Sequence, residues 1–290
     1  MRVFLTGATG FIGSAIVPEL IKAGHQVLGL ARSDGNAQAL RAAGAEVHRG
    51  DLEDVESLSR GADLSDAVIH TGFIHEFSRF QEVCEIDKRA IAALGSPLAG
   101  SDRPLIVTSG TAVGATAPGQ LATEDFVNLK HPHPRVASEI AAASVAERGV
   151  DVRVVRLPQV HDPLKQGIVT PLIELAREKG VSVYTGDGRN RWPAVHRFAC
   201  AELYRLALEK GASGARYHAV AEEGVPFKDI AEAIGRRVKL PVASLSLEAA
   251  GQHFGWLAMF AGFDMPASSA LTQKRLGWRP TGAGLIVDIG

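Results

Sequence analysis

A doubly wound parallel α/β sheet with a smaller C-terminal annex is the fold class predicted for this chain, on three observations. The apolar strand Val3-Phe4-Leu5 runs into the glycine turn Thr6-Gly7-Ala8-Thr9-Gly10-Phe11-Ile12-Gly13 and then into a helix reaching about Ala23. Short apolar strands alternate with helical stretches from there to Arg156, a pattern that argues for right-handed crossovers and helices on both faces of a parallel sheet. Beyond Leu157 the alternation weakens. The expected organisation is a core over residues 1–156, to which 193–218 return, and an annex built from 157–192 and 219–290.

Composition bounds the function. A chain of 290 residues with 46% hydrophobic and 22% charged content can bury a large core and is close to ordinary globular usage. Its net charge is −1 and no basic cluster exceeds a pair such as Arg236-Arg237, so the electrostatic footprint for nucleic acid or an anionic membrane is missing. The chain starts in a strand and contains no apolar run of membrane-spanning length, so no signal peptide and a cytoplasmic location are expected. Cys84 and Cys200 are far apart. They offer neither a disulfide framework nor a metal-ligand spacing, and are expected as small buried hydrophobes.

In the opening turn, Gly7 takes a bend that a side chain would obstruct, Gly10 lets the backbone approach a pyrophosphate, and Gly13 lets the helix pack against the strand. The positive end of the helix then faces the phosphates. The spacing Gly-x-x-Gly-x-x-Gly is one residue wider at its first gap than the commonest dinucleotide fingerprint, and a glycine triplet alone also fits a plain βα turn. Strand before and helix after select the cofactor reading, with Gly7, Thr9, Gly10, Phe11, Ile12 and Gly13 at the phosphates.

The second strand, Gln26 to Leu30, ends at Ala31-Arg32-Ser33, where an acidic residue for the adenosine ribose would be sought in an NAD-binding chain. Arg32 instead suits a 2′-phosphate, with Ser33 as an added donor; the plain alternative is a solvated arginine on a βα loop. NADP(H) is therefore the expected cofactor. A helix over Asn36 to Ala43 leads to the third strand, Glu46-Val47-His48, and to Gly50-Asp51-Leu52. Asp51 is placed either to cap the helix Glu53 to Ser59 or to accept from the adenine amino group.

The fourth strand, Ala67 to His70, delivers Thr71-Gly72-Phe73 to its carboxyl end, where open α/β sheets bind their ligands. A helix over Phe77 to Leu94 precedes the fifth strand, Leu105 to Thr108, which ends in the hydroxyl cluster Ser109-Gly110-Thr111. After the Pro- and His-rich loop Lys130 to Pro134 comes a helix to about Arg148, with Pro134 suited to its first turn, and then the sixth strand, Val152 to Arg156. Pro158 follows it and completes the expected cofactor set with Leu52, Thr71 and Gly72.

Beyond Leu157, Pro171 to Glu178, Phe198 to Leu208, Phe227 to Gly235 and Ser246 to Phe260 read as helices, the last two in the annex. Val181 to Tyr184, a segment ending at Val195, and Ala215 to His218 read as strands. The apolar run Gly255 to Phe260 is either core packing or, more sharply, a pocket wall or dimer face. His161, Arg191 and Trp192 are the expected substrate contacts.

Taken together, these motifs resemble the short-chain dehydrogenase/reductase superfamily in its extended branch, with its epimerase/dehydratase relatives. Thr6 to Gly13 is similar to that branch's opening motif, Gly50-Asp51-Leu52 to its adenine-side motif, and Val68-Ile69-His70-Thr71-Gly72 to its fourth-strand end. Gly186-Asp187-Gly188 with Arg191 and Val195-His196 resembles the segment entering its seventh strand, and Leu276-Gly277-Trp278-Arg279-Pro280 its C-terminal signature. The resemblance implies a Rossmann-type fold and a Tyr-x-x-x-Lys pair helped by Ser or Thr and an upstream Asn. Here the pair falls on Arg135 and Glu139, the serine on Gly110 between Ser109 and Thr111, and the asparagine on Asp87. The three tyrosines, Tyr184, Tyr204 and Tyr217, all lie past the sixth strand. An arginine holds its proton too tightly to act as a general acid, so Arg135 can polarise or orient but not donate a proton.

Arg135 and Glu139 stand one helical turn apart, which reads plainly as an i,i+4 ion pair and, through the resemblance, as a pair facing the nicotinamide ribose. Asp87 could join Arg135 in a charged network or be a solvated helix carboxylate. The first functional expectation is an NADPH-dependent oxidoreductase reducing a ketone, aldehyde or imine on a small molecule, with Thr111, Ser109 or a water meeting the developing alkoxide and His133 or His161 relaying a proton. The second is a silent NADP(H)-binding sensor. An epimerase or dehydratase would need Glu139 or Asp87 as its base. The partner expected is a small-molecule substrate; a homodimer is possible on this reading, and neither nucleic acid nor membrane is expected.

Overall fold

The computed structural model describes residues 1–131 and 133–290, so that Pro132 of the Pro- and His-rich loop lies outside the described residues. Strands and helices alternate strictly at first: β1 (Arg2–Thr6), α1 (Gly13–Lys22), β2 (Gln26–Ala31), α2 (Asp34–Ala42), β3 (Glu46–Arg49), α3 (Val55–Asp63), β4 (Ala67–His70), α4 (Phe80–Gly95), β5 (Pro104–Gly110), α5 (Val136–Ala146) and β6 (Asp151–Leu157). Then come β7 (Gln159–His161), α6 (Val169–Lys179), β8 (Ser182–Thr185), β9 (Arg191–His196), α7 (Arg197–Lys210), β10 (Arg216–His218), β11 (Glu222–Pro226), α8 (Phe227–Val238), β12 (Val242–Leu245), α9 (Leu247–Phe254), α10 (Ala258–Ala261), α11 (Ala270–Leu276) and α12 (Leu285–Ile289).

Seven strands form one wholly parallel sheet in the order β3-β2-β1-β4-β5-β6-β10. Val and Ile dominate its central strands because both faces are covered. On one face Val3, Leu5, Val27 and Ile106 pack with Ile16 and Leu20 of α1 and Leu203 and Ala207 of α7. On the other, Phe4, Leu28, Val68, Leu105 and Val107 meet Leu58 of α3, Ile91 and Leu94 of α4, and Ala141 and Val145 of α5. The order reverses between β1 and β4, the crevice where such sheets bind ligands.

A second hydrophobic centre serves the remainder. The three-stranded β11-β9-β7 sheet and the two-stranded β12-β8 sheet pack with α6, α8, α9 and α12 through Leu172, Ile173, Trp192, Phe227, Ile230, Phe254 and Leu285. Helix α7 packs on the parallel sheet and β10 joins it, while Pro193–His196 lie in β9, which pairs with β7 and β11 and puts Val195 into the same core as α1 and α7. The expected helix Ser246 to Phe260 is broken: Gly255 ends α9 at φ 54, and a 3-10 turn Gly255–Leu257 precedes α10. Asp51 is not the cap of α3. Asp54 is, accepting from Ser57 N–H at 2.9 Å, because it lies directly before the helix while Asp51 turns its Oδ1 to Glu53 N–H at 3.0 Å. Among the described residues no helix is long and apolar enough to cross a membrane.

Candidate active site

The phosphate turn is built by close backbone approaches. Gly7 adopts φ +68, and a Cβ there would come within 2.7 Å of Gly72 N; a Cβ at Gly13 would come within 2.1 Å of Gly7 O. Side chains at either position would push apart the ends of β1 and β4 or lift α1 off its turn. Helix α1 has no side-chain cap and no acidic residue in its first turn, so its positive end is left for an anion. Phe11 and Ile12 are half-buried and anchor the turn on the sheet core. This cradle fits a dinucleotide pyrophosphate.

At the adenosine end, the Arg32 side chain is 76% exposed and its Nε stands 3.8 Å from Asp51 Oδ2. Ser33 caps α2 by accepting from Asn36 N–H at 3.2 Å, which leaves its hydroxyl proton free to donate. Leu52 lies against Gly72: a Cβ on that glycine would meet Leu52 Cδ2 at 2.8 Å. Thr71 Oγ1 donates to Thr6 O at 2.8 Å, so its hydroxyl ties β4 to β1. Thr9 and Pro158 are half-buried at the ends of β1 and β6.

Behind the crevice runs a buried polar chain. Thr6 Oγ1 accepts from Gly72 N–H at 3.1 Å and meets His70 Nδ1 at 2.7 Å. His70 Nε2 meets Asp87 Oδ1 at 3.1 Å. Asp87 Oδ2 accepts from Ser138 Oγ at 2.6 Å and pairs with Arg135 Nη1 at 3.2 Å. Burial alone would raise the Asp87 pKa, but the Arg135 charge, His70 and Ser138 together hold it below the ordinary carboxylate value. Arg135 stands at the N-cap of α5, donates from Nη2 to Thr108 O at 2.9 Å and lies 4.2 Å from the Phe73 ring centroid. Its guanidinium is therefore fixed at the carboxyl end of β5.

Side chains alternate along β5. Thr108 points to α7, where Oγ1 meets Tyr204 OH at 2.6 Å and donates to His70 O at 2.7 Å. Burial and the nearby Cys200 push the Tyr204 phenol well up, which makes it a structural hydroxyl. Ser109 faces the opposite way. It is buried, and its Oγ has no hydrogen-bond partner among the described residues. Thr111 is also buried. His133, two residues before Arg135, accepts from Arg135 N–H at 3.2 Å and packs edge-on to Phe80 and Phe260 at 5.4 and 6.0 Å. Burial, followed by the charges of His131 and Arg135, lowers its pKa to about 4, so the ring is neutral at pH 7. Phe73, Phe80, Val83 and Met259 form an apolar wall here, and Phe260 of the expected run contributes through its contact with His133.

Several expected residues lie elsewhere. Glu139 does not pair with Arg135: it is fully buried, with Oε1 2.7 Å from Arg156 Nε and Oε2 3.1 Å from Arg216 Nε. The i,i+4 partner is displaced because Arg135 precedes the helix and reaches across to β5 and α4. Trp192 is a core residue with no exposure, its ring 4.8 Å from Phe227. His161 is equally buried, and its Nδ1 meets Asp288 Oδ2 of α12 at 2.7 Å. Arg191 grips Asp264 through Nε and Nη2 at 3.0 and 2.8 Å, so it fastens a loop. Sequence reasoning missed Phe73, Phe80 and Ser138 as site neighbours; their only signal was position, directly after β4 or one turn into α5.

With that geometry in place, the NAD dependent epimerase/dehydratase family model matches residues 3–221. The chain belongs to this family. It is 50% identical over 290 residues to the uncharacterized protein C2A9.02 of Schizosaccharomyces pombe, covering 100% of this chain and 98% of that one. The uncharacterized protein YLL056C of Saccharomyces cerevisiae is 46% identical over 293 residues, with coverage of 100% and 98%. In fold it is similar to the Thermus thermophilus UDP-glucose 4-epimerase solved in complex with NAD, at a TM-score of 0.77 and 20% identity, covering 100% of this chain and 97% of that one. This family member thus has the oxidoreductase fold with its nicotinamide-cofactor cradle.

Proposed function

We propose that this protein is an NADP(H)-dependent oxidoreductase that reduces a carbonyl-type group, a ketone, aldehyde or imine, on a small molecule. The observation that carries the reading is the buried Ser109 hydroxyl, unpartnered among the described residues, directly after Thr108, whose carbonyl holds the Arg135 guanidinium. A buried hydroxyl without a partner is costly, and a substrate oxygen at the end of β5 would satisfy it.

The cofactor, when bound, supplies the hydride. The chain's own residues do the rest: Ser109 and Thr111 offer donors to the oxygen that gains charge, and Arg135 holds its position through Asp87 and Thr108 without giving up a proton. The neutral ring of His133, whose Nδ1 accepts from Arg135 N–H, can offer its Nε2–H as a hydrogen bond to that oxygen. Phe73, Phe80 and Phe260 exclude water from the same corner. NADP(H) is supported by the exposed Arg32 fork and the free Ser33 proton at the end of β2, where an NAD-type carboxylate is replaced.

The test is a cofactor-oxidation screen of ketones, aldehydes and imines with NADPH and NADH in parallel. Turnover with NADPH on at least one carbonyl or imine class is the expected result. Tight NADPH binding with no turnover across the panel would overturn the enzyme reading.

A further inference from the structure

We propose that the groove along the outer edge of β10 is a second ligand site, separate from the cofactor crevice, that takes a small molecule through a carboxylate or phosphate oxyanion.

Strand β10 ends the parallel sheet on one side, with β5 and β6 between it and the β1–β4 crevice. Beside it a cavity of about 550 Å³ lies between the end of α7, the turn before β10, the loop after β5, and α11. Small-molecule sites span about 300–1,000 Å³, so the space suits a metabolite-sized ligand. Lys210, Arg216 and Arg275 line it, with Glu124 and Asp125 as its acids. Asp125 Oδ1 is taken by Arg275 Nη2 at 2.6 Å. Glu124 is buried, and its Oε1 accepts from Thr272 N–H and Oγ1 at 2.7 and 2.8 Å.

Arg216 receives only a share of an acid. Its Nε donates to Glu139 Oε2 at 3.1 Å, while Oε1 of the same carboxylate takes the fully buried Arg156 at 2.7 Å. One carboxylate thus serves two guanidiniums, and Arg156 Nη2 is buried without a partner among the described residues. His218, 3.2 Å from Arg156 Nη1, adds no negative charge: burial, then the Arg156 charge, hold its imidazole down at about 3. Lys210, Arg216, Arg275 and Arg156 therefore outnumber Glu124, Asp125 and Glu139 by one charge. An anion in the groove would balance it.

The strand edge adds a backbone donor. Val154 N–H donates to Ala215 O and Ala219 N–H to Arg156 O, both at 3.0 Å, so the odd residues of β10 bond β6 and the even ones face outward. His218 N–H is closed off by Thr272 Oγ1 at 2.8 Å. Arg216 N–H points out from the same edge, beside the groove that Arg216 lines. A guanidinium fork next to an outward N–H matches an oxyanion with two acceptor oxygens. The two acids in the wall repel an extended polyanion, so the ligand is small.

The experiment is titration of the ¹⁵N-labelled full chain with inorganic phosphate and, separately, sodium acetate, read at the Arg216 backbone amide by NMR, with and without NADPH. A saturable shift with at least one of the two is expected, with sodium chloride at equal ionic strength leaving the amide in place; the anion that binds tighter identifies the oxyanion of the ligand. Arg275→Gln should weaken that anion about tenfold, the worth of a charge-assisted contact. Asp125→Asn frees Arg275 and removes a like charge, so it should tighten binding, an outcome that a damaged fold does not mimic. No saturable shift with either anion, affinities unchanged in both variants, or displacement of the anion by NADPH overturns the site.

Discussion

Asp87 and Arg135 pair at 3.2 Å beneath the Phe73 ring, and the same carboxylate reaches His70 on its other oxygen at 3.1 Å. One buried acid thereby ties α4, β4 and the start of α5 to the carboxyl end of the sheet. Breaking a buried pair from one side leaves a charge uncompensated and costs about 3–5 kcal/mol. Asp87→Asn should therefore destabilise the protein at neutral pH in urea unfolding.

The same variant gives a pH signature. The folded Asp87 carboxyl titrates below its unfolded value, so its stabilisation is complete above the unfolded pKa of about 4 and is lost as pH falls through the folded value. The stability gap between wild type and Asp87→Asn should be widest at about pH 6–7 and close progressively below about pH 4. A gap that stays constant through the acid range would mean that the carboxylate is not the source.

Cofactor choice is tested at Arg32. Its side chain is 76% exposed and loosely held by Asp51 at 3.8 Å, so removing it costs little stability. Arg32→Ala should lower NADPH affinity by about tenfold or more, the worth of a charge-assisted phosphate contact, and leave NADH affinity unchanged. Equal wild-type affinities for the two cofactors would refute the preference.

The strand–turn–helix opening was legible because each glycine answers a local steric demand, and the parallel sheet because β-rich runs alternate with helical ones. The residue pairs were not. Helical spacing predicts that Arg135 meets Glu139, yet Arg135 sits at the N-cap, where its direction is set by Asp87 and Thr108 from other elements. Glu139 turns instead to Arg156 on β6 and Arg216 on β10, partners 17 and 77 residues away. Trp192 and His161 misled for a related reason: with Arg191 and the apolar run Gly255 to Phe260 they read as a pocket in the annex, while the annex core and α12 that bury them are assembled only by tertiary packing.

Glu139 yields a prediction opposite to a catalytic one. Glu139→Gln strips the acid from the buried Arg156 guanidinium, whose other partners include Phe126 O at 2.8 Å and Thr123 O at 3.2 Å. The expected loss is about 3–5 kcal/mol of stability with unchanged NADPH affinity of the folded protein. Pairing the change with Arg156→Met should recover part of the loss in a double-mutant cycle. A cofactor-affinity drop in the folded variant would put Glu139 back at the ligand.

Catalysis without the tyrosine turns on the hydroxyls that end β5. Ser109 Oγ is buried and unpartnered among the described residues, on the face of the sheet opposite Thr108, whose own hydroxyl is engaged by Tyr204 and His70. A donor aimed at the developing alkoxide contributes in the transition state, and its removal costs about 10²-fold or more in rate. Ser109→Ala deletes the hydroxyl without leaving a buried donor unsatisfied, so stability should hold or rise slightly. Thr111→Val keeps shape at the neighbouring position. The expected signature is a fall in kcat for Ser109→Ala or Thr111→Val with NADPH affinity unchanged, set against Arg135→Ala, which should mainly weaken placement of substrate or cofactor. His133→Gln separates the remaining route, in which the ring, neutral with a pKa lowered to about 4, offers its Nε2–H as a hydrogen bond to the alkoxide oxygen. Wild-type kcat in both hydroxyl variants, with a loss in His133→Gln, would move the hydrogen-bond donor to the histidine and leave Ser109 as packing.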